Sequence, residues 1–165
     1  MSSNSRVIFR LAFGVLAILP QVAIAQSPSK DSRDNTWAVL DVVATINSAI
    51  DESSDGPVLR ERTVRRLAEC ALAYGGLSTL TSNADAKKNY VQAQLATSDV
   101  EALIGKPLEK AVRLGLEETA QKSVALLLRG VKSQGDKQIG PLIKNCRALN
   151  NVTEIKNALQ ELPPR

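Results

Sequence analysis

Two cysteines, Cys70 and Cys146, are the only thiols in the chain and set the first chemical question. A thiol pair can exchange disulfides, hold a metal or close a structural bridge. Exchange of the thioredoxin kind needs Cys-x-x-Cys, and these two lie far apart, so one long-range bridge or two buried thiols remain open. The sequence contains no histidine. Without imidazole no Ser–His or Cys–His pair can be assembled, and zinc binding and haem ligation lose their commonest protein ligand.

Carboxylate chemistry is the remaining catalytic option, with Asp41, Glu69, Glu117 and Glu118 as its candidates. Their spacing singles out no acid–base pair, so the chain is expected not to be an enzyme and to need no cofactor. The stretch Asp51–Arg62 echoes an EF-hand loop through Asp51, Ser53, Asp55, Gly56 and Val58. Arg62 stands where the ion needs a bidentate Glu, so an interhelical turn with Pro57 opening the next helix is the better reading, and no metal is expected. Arg60, Arg62, Arg65 and Arg66 could attract an anion, but acids interleave with them and a solvated helix face is expected. Gly75-Gly76 lacks the lysine of a phosphate loop.

Residues 1–25 have the three parts of a secretory signal peptide. Arg6 and Arg10 precede the apolar run Leu11–Leu19, and Ala23-Ile24-Ala25 is a small-x-small cleavage signal before Gln26. The apolar run falls short of the roughly 20 residues a membrane-spanning helix needs, so cleavage and a periplasmic or secreted location are expected, with no stable membrane span. Cleavage removes both Phe and the single Met, leaving Trp37, Tyr74 and Tyr90 as the aromatics. It also takes two of the 21 basic residues, so the net charge falls from +4 to +2 and gives no case for a nucleic-acid partner. An oxidising destination favours the Cys70–Cys146 bridge, and closing so long a loop contributes roughly 4–5 kcal/mol in the chain-entropy model.

Helices must position these residues. Residues 26–35 are polar and aperiodic and read as a flexible leader to a single helical domain over 36–165. A first helix from Asp34 or Asn35 to about Asp51 carries Val39, Val43, Ile46 and Ile50 on one stripe, widened by Trp37 and Leu40. A second, from Pro57 to Thr79 or only to the Gly75-Gly76 pair, carries Val64, Leu67, Cys70 or Ala71, Tyr74 and Leu77 on one seam. A third starts at Ser82 or Asn83 and ends near Ala96, where the capping-box pattern Ser98-Asp99-Val100-Glu101 predicts a separate short helix to Gly105. The longest helix, from Pro107 to about Arg129, turns Leu108, Val112, Leu116, Ala120 and Val124 inward and is expected to be central. After a loop over Gly130–Gly140, Leu142, Ile143, Cys146 and Leu149 share a face. Asn151-Val152-Thr153, formally a glycosylation sequon, caps a last helix with Ile155, Ala158, Leu159 and Leu162 inward. No strand alternation occurs, so the fold class is all-α: a compact bundle of five to seven helices stapled by one disulfide.

A cleaved signal peptide followed by a helical Cys70-Ala71-Leu72-Ala73-Tyr74, a later Lys144-Asn145-Cys146-Arg147-Ala148-Leu149 helix and a short final helix resembles the periplasmic immunity proteins that neutralise type VI secretion amidases. The resemblance covers Cys70–Leu162. It implies that Cys70 and Cys146 are a structural pair and that the protein blocks a peptidoglycan-cutting hydrolase. The arginine-rich stretch and the Pro107 helix do not map onto it, and no inhibitory residue carries over. A non-enzymatic protein whose partner is another secreted or envelope protein is the leading expectation. The alternatives are an envelope stress or chaperone-like factor and a carrier of a small ligand in the bundle core.

Overall fold

The computed structural model of this chain describes residues 30–134, 137–149, 154–160 and 162. The expected signal peptide at 1–25 and the Asn151-Val152-Thr153 cap lie outside the described residues. Six helices form among them: α1 Lys30–Asp51, α2 Gly56–Leu80, α3 Ala84–Gly105, α4 Lys110–Gln134, α5 Gly140–Leu149 and α6 Ile155–Gln160. The fold is the expected all-helical bundle. α1 begins within the stretch read as a leader, and its buried stripe is turned toward Val42, Ile46 and Ile50, leaving Leu40 exposed. The expected contribution of Trp37 lies outside the described side chains. The α1–α2 connection is the tight turn expected, closed by Ser53 N–H to Ile50 O (3.1 Å) and Gly56 N–H to Ser53 O (3.2 Å), with Pro57 in the first turn of α2. Among the described residues no group of three or more His, Cys, Asp or Glu side chains gathers as a metal would require.

The central helix is α2, which corrects the expectation for the Pro107 helix. α2 packs against α1, α3, α4 and α5. It buries Val64, Leu67, Cys70, Ala73, Tyr74 and Leu77, as the seam predicts, and also the polar Thr63, Glu69 and Ser78. Among its described side chains, α4 buries only Ala120 and Val124, half-buries Leu116, Leu127 and Leu128, and leaves Val112, Leu114 and Leu126 exposed. The physical reason lies in the Gly75-Gly76 pair, through which α2 continues. A Cβ on Gly75 would sit 3.0 Å from the Gln94 side chain of α3, and one on Gly76 would overlap the Leu128 side chain of α4. Two adjacent glycines point about 100° apart on a helix, so two neighbours approach the α2 backbone from two directions. α3 returns antiparallel to α2 after the short turn at 81–83, and α4 then runs alongside α2 in the same sense.

α3 is one continuous helix, not the two that the capping box predicts. Asn83 caps it, accepting from Ala86 N–H at 2.9 Å. Thr97, Val100 and Ile104 are buried on both sides of the expected break. A cap is worth about 1 kcal/mol, less than the burial of Val100 and Ile104 that a break would forfeit, so tertiary packing overrides the local signal. α4 likewise continues past Gly130 to Gln134, which shortens the loop expected over Gly130–Gly140, and Ile139 in that connection is buried. α5 and α6 bury the residues expected of them: Leu142, Ile143, Cys146 and Leu149, then Ile155, Ala158, Leu159 and Leu162.

Cys70 and Cys146 form a disulfide with a Cα–Cα distance of 5.5 Å. Both are fully enclosed, and the bridge ties α5 directly to α2 without crossing α4. It is consistent with an oxidising, extracytoplasmic compartment. No helix of the described residues is long and apolar enough to cross a membrane.

Candidate binding site

Of the four carboxylates considered for catalysis, Glu69, Glu117 and Glu118 are taken up in ion pairs. Glu69 is buried and holds Arg66 Nη1 at 2.8 Å, with Arg65 Nε at 3.9 Å. Glu117 faces Arg113 at 3.4 Å, and Glu118 holds Lys122 at 2.7 Å, a hydrogen bond that lowers the pKa of this exposed carboxyl. Asp41 lies exposed on α1. The carboxylates that do influence one another are Glu117 of α4 and Glu101 of α3. Burial first, then the charge of Glu117, pushes the Glu101 pKa up, and Arg113 partly offsets this. One Glu101 oxygen is buried without a hydrogen-bond partner among the described residues.

The arginines of α2 are not a solvated face. Because α2 is surrounded, these arginines are half-buried: Arg65 and Arg66 pair with Glu69 on α2 itself, while Arg60 and Arg62 hold neighbouring segments. Arg60 donates from Nη1 to Asn47 Oδ1 of α1 (2.8 Å) and to Ile104 O near the end of α3 (3.2 Å), and its Nη2 lies 3.6 Å from Asp51. Arg62 Nη1 donates to Leu162 O at 3.3 Å. A guanidinium presents five donors in a fixed fork, so one side chain can tie three helices together, which a lysine cannot do with the same geometry.

The feature that can receive a ligand lies at the far end of α2. A half-enclosed cavity of about 420 Å³ opens between α2, α3, α5 and the start of α6. Leu77, Ile139 and Ile143 make its apolar wall, Tyr90 one edge, and Lys144 and Arg147 line it with cations. Glu154 is the acid among its lining residues. Its volume falls within the range of about 300–1,000 Å³ typical of ligand pockets. Behind Tyr90 stands Tyr74, the two rings stacked with centroids 6.3 Å apart and planes at 29°. Burial raises the Tyr74 pKa, Arg147 works against that shift, and Tyr90 adds to it. Lys144 and Arg147 are three residues apart on α5 and so share a side of the helix. Both are exposed, and neither has an ion pair among the described residues.

The disulfide positions this site. Cys146 precedes Arg147 directly, and Cys70 lies one turn before Tyr74, so the covalent tie fixes the cationic face of α5 against the tyrosine pair. Sequence reasoning singled out Cys70 and Cys146, which the structure brings together, gave no role to Lys144, Arg147 or Ile139, and read Tyr90 only as an apolar position of the third helix beside Val91 and Leu95, both of which are exposed. The one available signal was the i,i+3 cation pair in an otherwise inward-facing segment. The sequence matches no protein-family model, and neither a curated protein nor a solved structure matches it.

Proposed function

We propose that this chain is a periplasmic or secreted, non-enzymatic protein that binds another protein, in the manner of an immunity protein blocking a cell-wall hydrolase. The observation that carries this reading is the cavity on the α2–α5 frame: a pocket of apolar wall and cationic rim, held by a disulfide. A rigid frame binds without spending free energy on ordering itself, which suits an inhibitor. The half-enclosed shape suits side chains projecting from a partner surface more than a ligand carried inside the bundle. The chaperone-like alternative draws on the exposed Leu95, Leu114 and Leu126, which stand on the outer helices α3 and α4.

The test is inhibition. The protein is expressed with its own leader, recovered with its disulfide intact, and cross-linked from a photoreactive residue placed at Ala148 in the cavity wall. The expected product is one adduct with a peptidoglycan hydrolase, whose release of dye from labelled peptidoglycan falls as the protein is added in equimolar amount. Recovery of the folded protein alone, or of a hydrolase whose activity is unchanged, refutes the reading.

A further inference from the structure

We infer that the cavity receives a carboxylate carried next to an aliphatic or aromatic side chain on an exposed segment of the partner protein. This rests on the reading of the chain as a protein binder and names the chemistry its partner must present. The apolar part belongs against Leu77, Ile139 and Ile143, which face the cavity and gain from excluding water. The carboxylate belongs with Arg147 and Lys144, whose charges have no counter-ion among the described residues. A guanidinium beside an apolar wall matches a planar carboxylate with two parallel N–H donors, and the lysine adds a point charge. Among the described lining residues, Glu154 leaves the charge one unit positive rather than two. One negative charge therefore balances it, and a dianion such as a phosphate monoester is over-matched. Charge complementarity and wall chemistry thus favour an acidic residue flanked by an apolar one.

Titration of isotope-labelled protein with two blocked peptides, acetyl-Leu-Glu-Leu-Phe-amide and its Gln counterpart, reads this directly by amide chemical shifts. Octanoate and octylamine serve as small-molecule arms. The Glu peptide is expected to shift Ile139, Ile143 and Ala148. Its binding should weaken about ten-fold on replacing Glu by Gln, which removes both charged contacts, and a few-fold in either Arg147→Gln or Lys144→Gln, which removes one exposed contact each. Both substituted side chains are exposed, so the variants keep the wild-type helical spectrum. Equal binding of the two peptides, shifts centred elsewhere, or a concentration-dependent second copy in the cavity overturns the inference. So does octanoate binding with no response to either peptide, which would make the cavity a small-ligand site. A captured hydrolase indifferent to both substitutions overturns the inference and leaves the binder reading standing. Glu-selective peptide binding with no hydrolase recovered supports the cavity chemistry and refutes the inhibitor reading alone.

Discussion

Replacing Arg60 by methionine tests whether α2 organises the bundle through its arginines. The substitution keeps an unbranched apolar stem and removes the guanidinium, so it isolates the polar work. Two bonds are lost: one to Asn47 Oδ1 and one to Ile104 O. Hydrogen bonds from a charged donor contribute about 1.5–3 kcal/mol each, and the Arg60 side chain is 15% exposed, so water can partly replace the donor and the lower end applies. Asp51 is 74% exposed at 3.6 Å and adds well under 1 kcal/mol. The expected loss is about 3 kcal/mol, a fall in Tm of about 10 °C for a domain of this size. Urea unfolding followed by far-UV circular dichroism measures it, and a double-mutant cycle with Asn47→Ala should show a coupling of about 1 kcal/mol. Arg60→Lys should recover only part of the loss, because an ammonium cannot span both acceptors in the same way. A cost below about 1 kcal/mol for Arg60→Met, or strict additivity with Asn47→Ala, refutes the idea that this guanidinium joins α1 and α3 to α2.

Two further perturbations probe the frame. Replacing both Cys70 and Cys146 by alanine frees a loop between residues 76 apart, which the chain-entropy model values at about 4.5 kcal/mol. Thermal and urea unfolding should both register it, and a loss below about 1 kcal/mol would show that the bridge adds little to the packing of α5 on α2. Glu101 has its folded pKa raised above the ordinary 4.5, so the folded state holds this proton more tightly than the unfolded chain. Its contribution to stability therefore declines as pH rises from that ordinary value through the raised one. Glu101→Gln removes the decline, and urea midpoints of variant and wild type should diverge in the variant's favour as pH rises above the ordinary 4.5. Parallel curves would mean that burial beside Glu117 costs the folded state nothing.

What the residues alone reveal follows from the range over which each determinant acts. The α2 seam and the inward faces of α5 and α6 were legible because helical periodicity is local. The two cysteines, each on an inward face, then had one partner to choose. The break at Ser98 was misread because a capping box is also local, whereas the burial of Thr97, Val100 and Ile104 against α2 is not visible in the stretch itself. The arginines were misread for the same reason: Arg60 looks solvated until Asn47 and Ile104, 13 and 44 residues away, arrive beside it. The choice of central helix turned on Gly75-Gly76, which reads as a weakness by propensity and acts as a permit for close approach. The cavity was the least legible feature, since Leu77, Tyr90, Ile143 and Glu154 meet only after four separate segments have packed.

The contact between α1 and α6 joins elements that lie far apart in the sequence. α2 and α3 are joined by a three-residue turn and can pair from neighbouring sequence, at small loop-closure cost. The α1–α6 contact, and with it the bond from Arg62 to Leu162 across 100 residues, needs nearly the whole described chain in place. The α1–α6 contact therefore joins the two ends of the described chain as a clasp does. Glu154 stands at the entrance to α6, so the rim of the cavity depends on that join.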